Sequence, residues 1–147
     1  MDDIDRQLLR ALHVDARTSY ADLARQVGLS APSVHDRVRK LERDGVLRGT
    51  YADVDPTLIG LGVSALVGLQ QREGVESDDI VAALREVDAI EDCWFVAGDE
   101  AFVVKVRVAD LDALDRTLSV LRKVPGVART RTTVVLSTRF EGRHRIP

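Results

Sequence analysis

Apolar residues recur at helical spacing through the first third of the chain, and the pattern then changes. Ile4, Leu8 and Leu12, with Leu9 beside them, form the stripe of an amphipathic helix that fades near Asp15. Ser19 with Asp22 three residues on is a variant capping box, Leu23, Ala24 and Val27 give a short second helix its buried side, and Gly28 ends it. Ser30 caps a third helix with Pro32 in its first turn, where a missing N–H costs little. Val34, Val38 and Leu41 are its inward stripe, and Gly45 after Asp44 stops it. Val46, Leu47 and Thr50–Val54 read as a short strand that Asp55-Pro56 breaks.

From about residue 60 the spacing is that of strands and helices in alternation. Leu61–Leu69 is a strand with Val63, Ala65, Val67 and Leu69 on one face and Gly62, Ser64, Leu66 and Gly68, small and apolar, on the other. A helix over 78–88 follows through Ile80, Val81, Leu84 and Val87. Cys93–Ala97 and Phe102–Val108 are strands on either side of Gly98-Asp99-Glu100. Leu111, Leu114, Leu118 and Leu121 mark a second helix that Pro125-Gly126 ends, and Val127–Thr138 is the last strand. The order β-α-β-β-α-β is that of a ferredoxin-like split βαβ sheet. Its helices cover one face, so the apolar second face of the first strand calls for another cover, and a second copy of the sheet is the economical one. A dimer follows as an expectation.

Composition narrows the function classes. The chain has 147 residues, 45% hydrophobic and 31% charged, with 21 Lys plus Arg against 24 Asp plus Glu and a net charge of −3. That suits one domain or two small ones with a real core and a solvated surface. No apolar stretch reaches the roughly 18 residues of a membrane span. The start is acidic (Asp2, Asp3, Asp5) where a secretory signal is basic, which makes the cytoplasm the expected compartment and a membrane partner unexpected. A single cysteine, Cys93, and three well-separated histidines, His13, His35 and His144, provide neither a disulfide nor a metal set, and no cofactor is expected.

The segment Tyr20–Val34, a short helix, a glycine turn and a capped helix, makes a helix-turn-helix. With Val34, Val38 and Leu41 inward, the outward face of the third helix shows Ser33, Asp36, Arg37, Lys40 and Arg43, with His35 and Arg39 at its flanks. Four cations against Asp36 and Glu42 make this helix basic within an acidic protein. Arg37 near the helix start is placed to reach guanine edges, and the later cations suit phosphates. The chain contains no asparagine, so bidentate adenine reading by that residue is excluded. A plain three-helix bundle with a solvated charged face is the competing reading of the same pattern.

At this point the chain resembles a known family. The run Asp2–Leu12, the blocks YADLARQVGLS (20–30) and RVRKLERDGVLRG (37–49), and the later VAGDEAFVVKVRV (96–108) and VPGVARTRTTVVLST (124–138) resemble the leucine-responsive, or Lrp/AsnC, transcriptional regulators, in particular actinobacterial ones. The resemblance spans nearly the whole chain. It implies an α+β fold: a helix-turn-helix (winged-helix-like) domain over 1–50, a strand and linker over 51–60, a ferredoxin-like effector-binding and oligomerisation domain over 61–138, and a tail over 139–147. It implies double-stranded DNA as partner, with Ser30, Ser33, His35, Arg37, Arg39, Lys40 and Arg43 as the contacting residues. It also implies a free amino acid held between dimers, and a homodimer assembling to an octamer.

The effector residues carried over from the family are Val96, Gly98, Asp99, Glu100 and Ala101, with Arg131, Thr132, Thr133 and Val134 as the far wall from another subunit. Without the resemblance, the glycine and acids of 98–100 read as a solvated hairpin turn. Many members carry a second acid where this chain has Ala101, while Glu100 stands one place earlier and turns to the opposite face. Two acids, one for the effector's ammonium and one left over, lean towards arginine or lysine; an aromatic or branched effector against Phe95 or Val96 and Val134 stays open.

Other residues read as structural. Cys93 on a strand is expected in the core. Trp94 and Phe95 alternate faces, one under a helix and one at an interface. The stretch Arg139–Arg145, three arginines against Glu141, suits DNA, a neighbouring subunit or disorder. Three function classes compete: a ligand-responsive transcription regulator, a ligand-binding regulatory subunit of the ACT type without a DNA role, and a small enzyme such as an acylphosphatase. The second has no use for a capped helix-turn-helix. The third needs an asparagine that the chain lacks, and no nucleophile–base pair is visible, so no enzyme is expected.

Overall fold

The computed structural model describes residues 1–142 and Ile146. The chain divides into two compact units, one of Met1–Asp53 with the described residues from Phe140 on, the other of Val54–Arg139. Part of the arginine-rich tail, Arg143 to Arg145, lies outside the described residues.

The first unit holds α1 (Asp3–Val14), α2 (Tyr20–Val27) and α3 (Ala31–Arg43). Each starts on a side-chain cap that satisfies a first-turn N–H: Asp2 accepts from the Asp5 amide, Ser19 from that of Asp22 and Ser30 from that of Ser33. Gly28 closes α2 at φ 70°, the left-handed conformation that lets the chain turn at once into α3. Leu8, Leu23, Ala24, Val34 and Val38 form the core, with Ile4, Leu12, Leu29 and Leu47 packed against it.

No strand forms between Gly45 and Gly62. The strand expected over Val46–Val54 is therefore corrected: Leu47 packs on the helices, but Tyr51 and Val54 stand 86% and 52% exposed. A strand exists through its ladder, and the chain offers this segment no partner strand. The Asp55-Pro56 break holds, with the Asp55 carboxylate accepting from the Thr57 amide at 2.8 Å.

The second unit holds β1 (Val63–Gln71), α4 (Ser77–Arg85), β2 (Ile90–Phe95), β3 (Phe102–Val108), α5 (Leu111–Leu121) and β4 (Val127–Val135). The sheet order is β2-β3-β1-β4, antiparallel throughout. This is the expected split βαβ arrangement, with α4 ending three residues short of the expected 88 and β2 beginning three residues before Cys93. Ala65, Val67 and Leu69 of β1, opposite Val106, Val104 and Phe102 of β3, meet Ile80 and Leu84 of α4 and Leu114 and Leu121 of α5 in one core.

The opposite face carries Leu66, 40% exposed, and Gly68 on β1. Beside them on β3 stand Lys105 and Arg107, which pair with Glu91 at 2.6 Å each, and this face is less apolar than β1 alone implied. Lys105 and Arg107 hold the Glu91 carboxyl below its usual range against the opposing effect of burial. Cys93, expected in the core, is exposed: it lies opposite Val104 on the helix side, but on the edge strand β2. Phe95 is also helix-side, opposite Phe102 and edge-on to it, yet 69% exposed, and Trp94 on the other face is 46% exposed. Neither aromatic is covered by a helix.

Gly126, in the turn that leads into β4, fixes the approach of that turn to the core. Its φ is +90°, and an added Cβ would stand 2.6 Å from Val75 Cγ1 and 2.8 Å from Ile80 Cγ1. Gly126→Ala should lower the unfolding free energy by about 2–3 kcal/mol. Gly74→Ala, at φ +77° with open space around it, should cost about 1 kcal/mol; denaturant unfolding of the two variants checks the difference.

Candidate DNA-binding face and effector cleft

Helix α3 is the longest of the three helices in its unit, and its buried stripe decides which side chains are left to act. Val34, Val38 and Leu41 are buried, and Pro32, Ser33, Asp36, Arg39, Lys40, Glu42 and Arg43 are exposed. Arg39 and Lys40 form no ion pair among the described residues, and Arg43 lies 3.8 Å from Asp44. These three cations are the available positive charge of the face. Ser30 and Ser33 are engaged with each other at 2.8 Å as part of the cap. His35 lies edge-on to the Tyr20 ring at 5.3 Å, with Nδ1 3.6 Å from the Asp36 carboxylate.

Arg37 differs from the expectation. Its guanidinium turns to α1, where Nη1 donates to Asp2 Oδ2 at 2.7 Å and to Asp5 Oδ1 at 2.8 Å. The same two carboxylates form the capping box of α1, Asp2 accepting from the Asp5 amide and Asp5 from that of Asp2. At 100° per residue Arg37 falls about 60° from Val34, on the flank of the buried stripe rather than on the outward face. That signal was present in the sequence; the acidic partner was not evident, because Asp2 and Asp5 stand on another helix. The Asp5 amide, then Arg37, holds the Asp2 carboxyl below its ordinary range. Burial raises Asp5, but the Asp2 amide and Arg37 outweigh it and leave Asp5 lowered as well. Arg37 is raised in turn by its bonds to Asp2 and Asp5.

In the second unit the link between β2 and β3 builds a cleft of about 730 Å³. Its walls are Gln70, Gln71, Phe95 and the whole turn from Val96 to Ala101. The turn is tied down by the Val96 amide to the Ala101 carbonyl and by the Ala101 amide to the Leu69 carbonyl, both at 2.9 Å. Val96, Gly98, Asp99, Glu100 and Ala101 are thus brought together as expected. Ala101 packs on the helix-side core. Glu100 turns to the other face, where its carboxylate pairs with Arg131 Nη2 at 2.6 Å.

Within the chain, Thr132, Thr133 and Val134 are not part of this cleft. Thr132 and Val134, opposite Val67 and Ala65, point to the helix side, whereas Thr133, opposite Leu66, points away. The two threonines therefore cannot present their hydroxyls on one face of β4. Gln70, Gln71 and Ala97 were not singled out from sequence; the glutamines end β1 next to a bulge, a position that only the pairing reveals. A second hollow of about 570 Å³ between α1 and α2 is lined by Asp15, Arg17, Ser19, Asp22 and Arg25 among others, and several of its polar groups already bond one another.

Residues 1–42 match the AsnC-type helix-turn-helix domain, and residues 63–144 match the Lrp/AsnC ligand binding domain. The chain belongs to the Lrp/AsnC family of transcriptional regulators. Among its relatives, LrpA of Mycobacterium tuberculosis is 40% identical over 147 residues, covering 100% of this chain and 97% of the relative. Regulatory protein AsnC of Escherichia coli is 31% identical over 137 residues, covering 92% and 90%. The fold matches a solved structure of M. tuberculosis LrpA at TM-score 0.92 with 40% identity over 100% of each chain. It also matches the feast or famine regulatory protein of M. tuberculosis complexed with L-methionine at TM-score 0.93 with 40% identity over 99% of each chain. The helix-turn-helix match sets aside a ligand-binding subunit without a DNA role, and membership in a family of transcriptional regulators sets aside an enzyme. Among the described residues, no helix is long and apolar enough to cross a membrane.

For this Lrp/AsnC member the Arg37 network makes a prediction of its own. Arg37→Ala and Asp5→Asn should each lower the stability of the helical unit, and the double variant should lose little more than the larger single loss. Because the folded pKa values of Asp2 and Asp5 are depressed from 3.8, the contribution is present above that pH and is lost as pH falls below it. Thermal melts of the four proteins at neutral pH and near pH 3 check both statements. Additive losses would return Arg37 to the DNA face.

Proposed function

We propose that the protein acts in the cytoplasm as a dimer that presents two copies of α3 to successive major grooves. The expected site is a rough palindrome with half-sites about one helical turn apart. The observation that carries this reading is the exposed Arg39–Lys40 pair, without an ion pair among the described residues, with Arg43, on a capped helix held across α2 by the Gly28 turn. These cations take phosphate oxygens, Ser30, Ser33 and His35 approach the duplex at its edge, and Arg37 fixes α3 on α1 instead of reading a base.

The outward face of the sheet, with Leu66 at its centre, suits a second copy of the chain. A free amino acid occupies the cleft at Gly98–Ala101, its ammonium on a carboxylate of the loop, and Thr132, Thr133 or Val134 of another dimer closes the far side. Ligand held there stabilises whichever higher assembly completes the pocket, an octamer in this reading. The relative solved with L-methionine supports an amino acid as the class of effector. An arginine or lysine effector, the direction in which two loop acids lean, requires both acids to be available; Glu100 already meets Arg131.

Two experiments test the proposal. In anisotropy titrations on DNA from the protein's own upstream region, Lys40→Ala should weaken binding to all sequences alike and reduce the salt slope by about one. Unchanged affinity and slope would remove α3 from the interface. Leu66→Glu should yield folded monomer in light scattering with loss of operator affinity, and a dimer of ordinary mass would place the partner elsewhere.

A further inference from the structure

Gly68 occupies the middle of a central strand, where glycine weakens a sheet and usually marks a close approach. Its backbone is not in the left-handed region, so conformation does not call for glycine. Space does. A Cβ at this position would stand 2.6 Å from Glu100 Cγ and 3.0 Å from its carboxyl carbon and Oε1. Glu100 therefore lies flat across Gly68 on the face away from the helices. Arg131 is the residue of β4 directly opposite Gly68, and its Nη2 reaches Glu100 Oε1 at 2.6 Å. The missing side chain on β1 opens the path by which an acid from the cleft's turn meets a cation two strands away.

Charge counting at the cleft then follows. Its turn carries two carboxylates, and Arg131 neutralises one of them, leaving Asp99 without an ion pair among the described residues. A free amino acid brings one ammonium and one carboxylate, and an ammonium drawn out of water needs one partner charge. Asp99 supplies it. A second cation, on the side chain of arginine or lysine, would find its acid already taken, while Phe95, Val96, Ala97 and Ala101 offer apolar wall.

Resting on the reading of this cleft as the effector site, we infer that Gly68 and Arg131 are specificity-determining residues: by seating and neutralising Glu100 they restrict the effector to amino acids with uncharged side chains. Neither residue has to touch the ligand. Gly68 sets where Glu100 lies, and Arg131 sets what charge it presents.

Calorimetry on the full-length protein with leucine, methionine, phenylalanine, arginine and lysine tests the inference. The unaltered protein should bind at least one uncharged amino acid and hold arginine and lysine at least tenfold more weakly. Arg131→Ala removes an arginine that is 74% exposed, so the fold should survive. It should raise the affinity for arginine or lysine relative to the uncharged ligands at least tenfold. Adding Glu100→Gln to Arg131→Ala should restore the original preference, an outcome that a merely structural role for Arg131 would not give. Gly68→Ala, which meets only a flexible side chain, should shift the preference in the same direction as Arg131→Ala. An unmoved ratio of cationic to uncharged affinities in Arg131→Ala, or an equal loss of all ligands, overturns the inference and leaves the cleft as the effector site. If the unaltered protein binds none of the amino acids, the cleft reading itself falls and this inference with it.

Discussion

Two helices can cover only one face of a four-stranded sheet, and most of what distinguishes the C-terminal unit follows from the other face being left uncovered. Because side chains alternate along a strand, each residue of β1 is committed to one environment or the other. Ala65, Val67 and Leu69 are sealed beneath α4 and α5. Their neighbours Leu66 and Gly68 belong to a surface shared with Lys105, Arg107, Arg131 and Glu100. On the helix side, substitution is judged by volume and cavity. On the open side, charge and pairing matter, and the turn at Gly98–Glu100 stands where the two faces meet at the end of β3.

The helix-turn-helix unit is governed by local satisfaction of helix ends. Three side-chain caps and one left-handed glycine set the starts and the turn of its helices. Asp2 has several tasks at once: its carboxylate caps α1 and holds Arg37 of α3, and its amide donates to the Asp5 carboxylate. This ties the first residues of the chain to the helix that carries the exposed cations. A cation so close to two carboxylates is poorly placed for an anionic duplex, and Arg39, Lys40 and Arg43 remain as the positive face.

Family membership accounts for the two-unit plan, and alternation along the turn after Gly98 separates its neighbouring residues. Ala101 joins the helix-side core, and the acid one place earlier crosses to the open face and meets Arg131. The turn therefore keeps two carboxylates in sequence, and among the described residues Asp99 is the one of the two without an ion pair.

Most of the fold was legible because its signals are local. The caps at Ser19 and Ser30, the stop at Gly28, the leucine spacing of α5 and the alternation of β1 and β3 each lie within a few residues of the element they define. The strand expected over Val46–Val54 failed for the opposite reason: its residue types suit a ladder, and no local signal reveals whether a partner exists. Cys93 failed likewise, since an apolar strand residue is buried only if the helices reach its strand, and β2 lies at the sheet edge. Local pattern carried the helices of the first unit, the order of elements in the second, the faces of its strands and the chemistry concentrated on α3 and at residues 98–100. Tertiary structure alone decided the partners: Arg37 with carboxylates 35 and 32 residues away, and Glu100 with Arg131 across a glycine. Backbone preference and side-chain period are carried by neighbours in the chain, whereas the choice among several nearby charges depends on which side chains packing has brought within about 3 Å of one another.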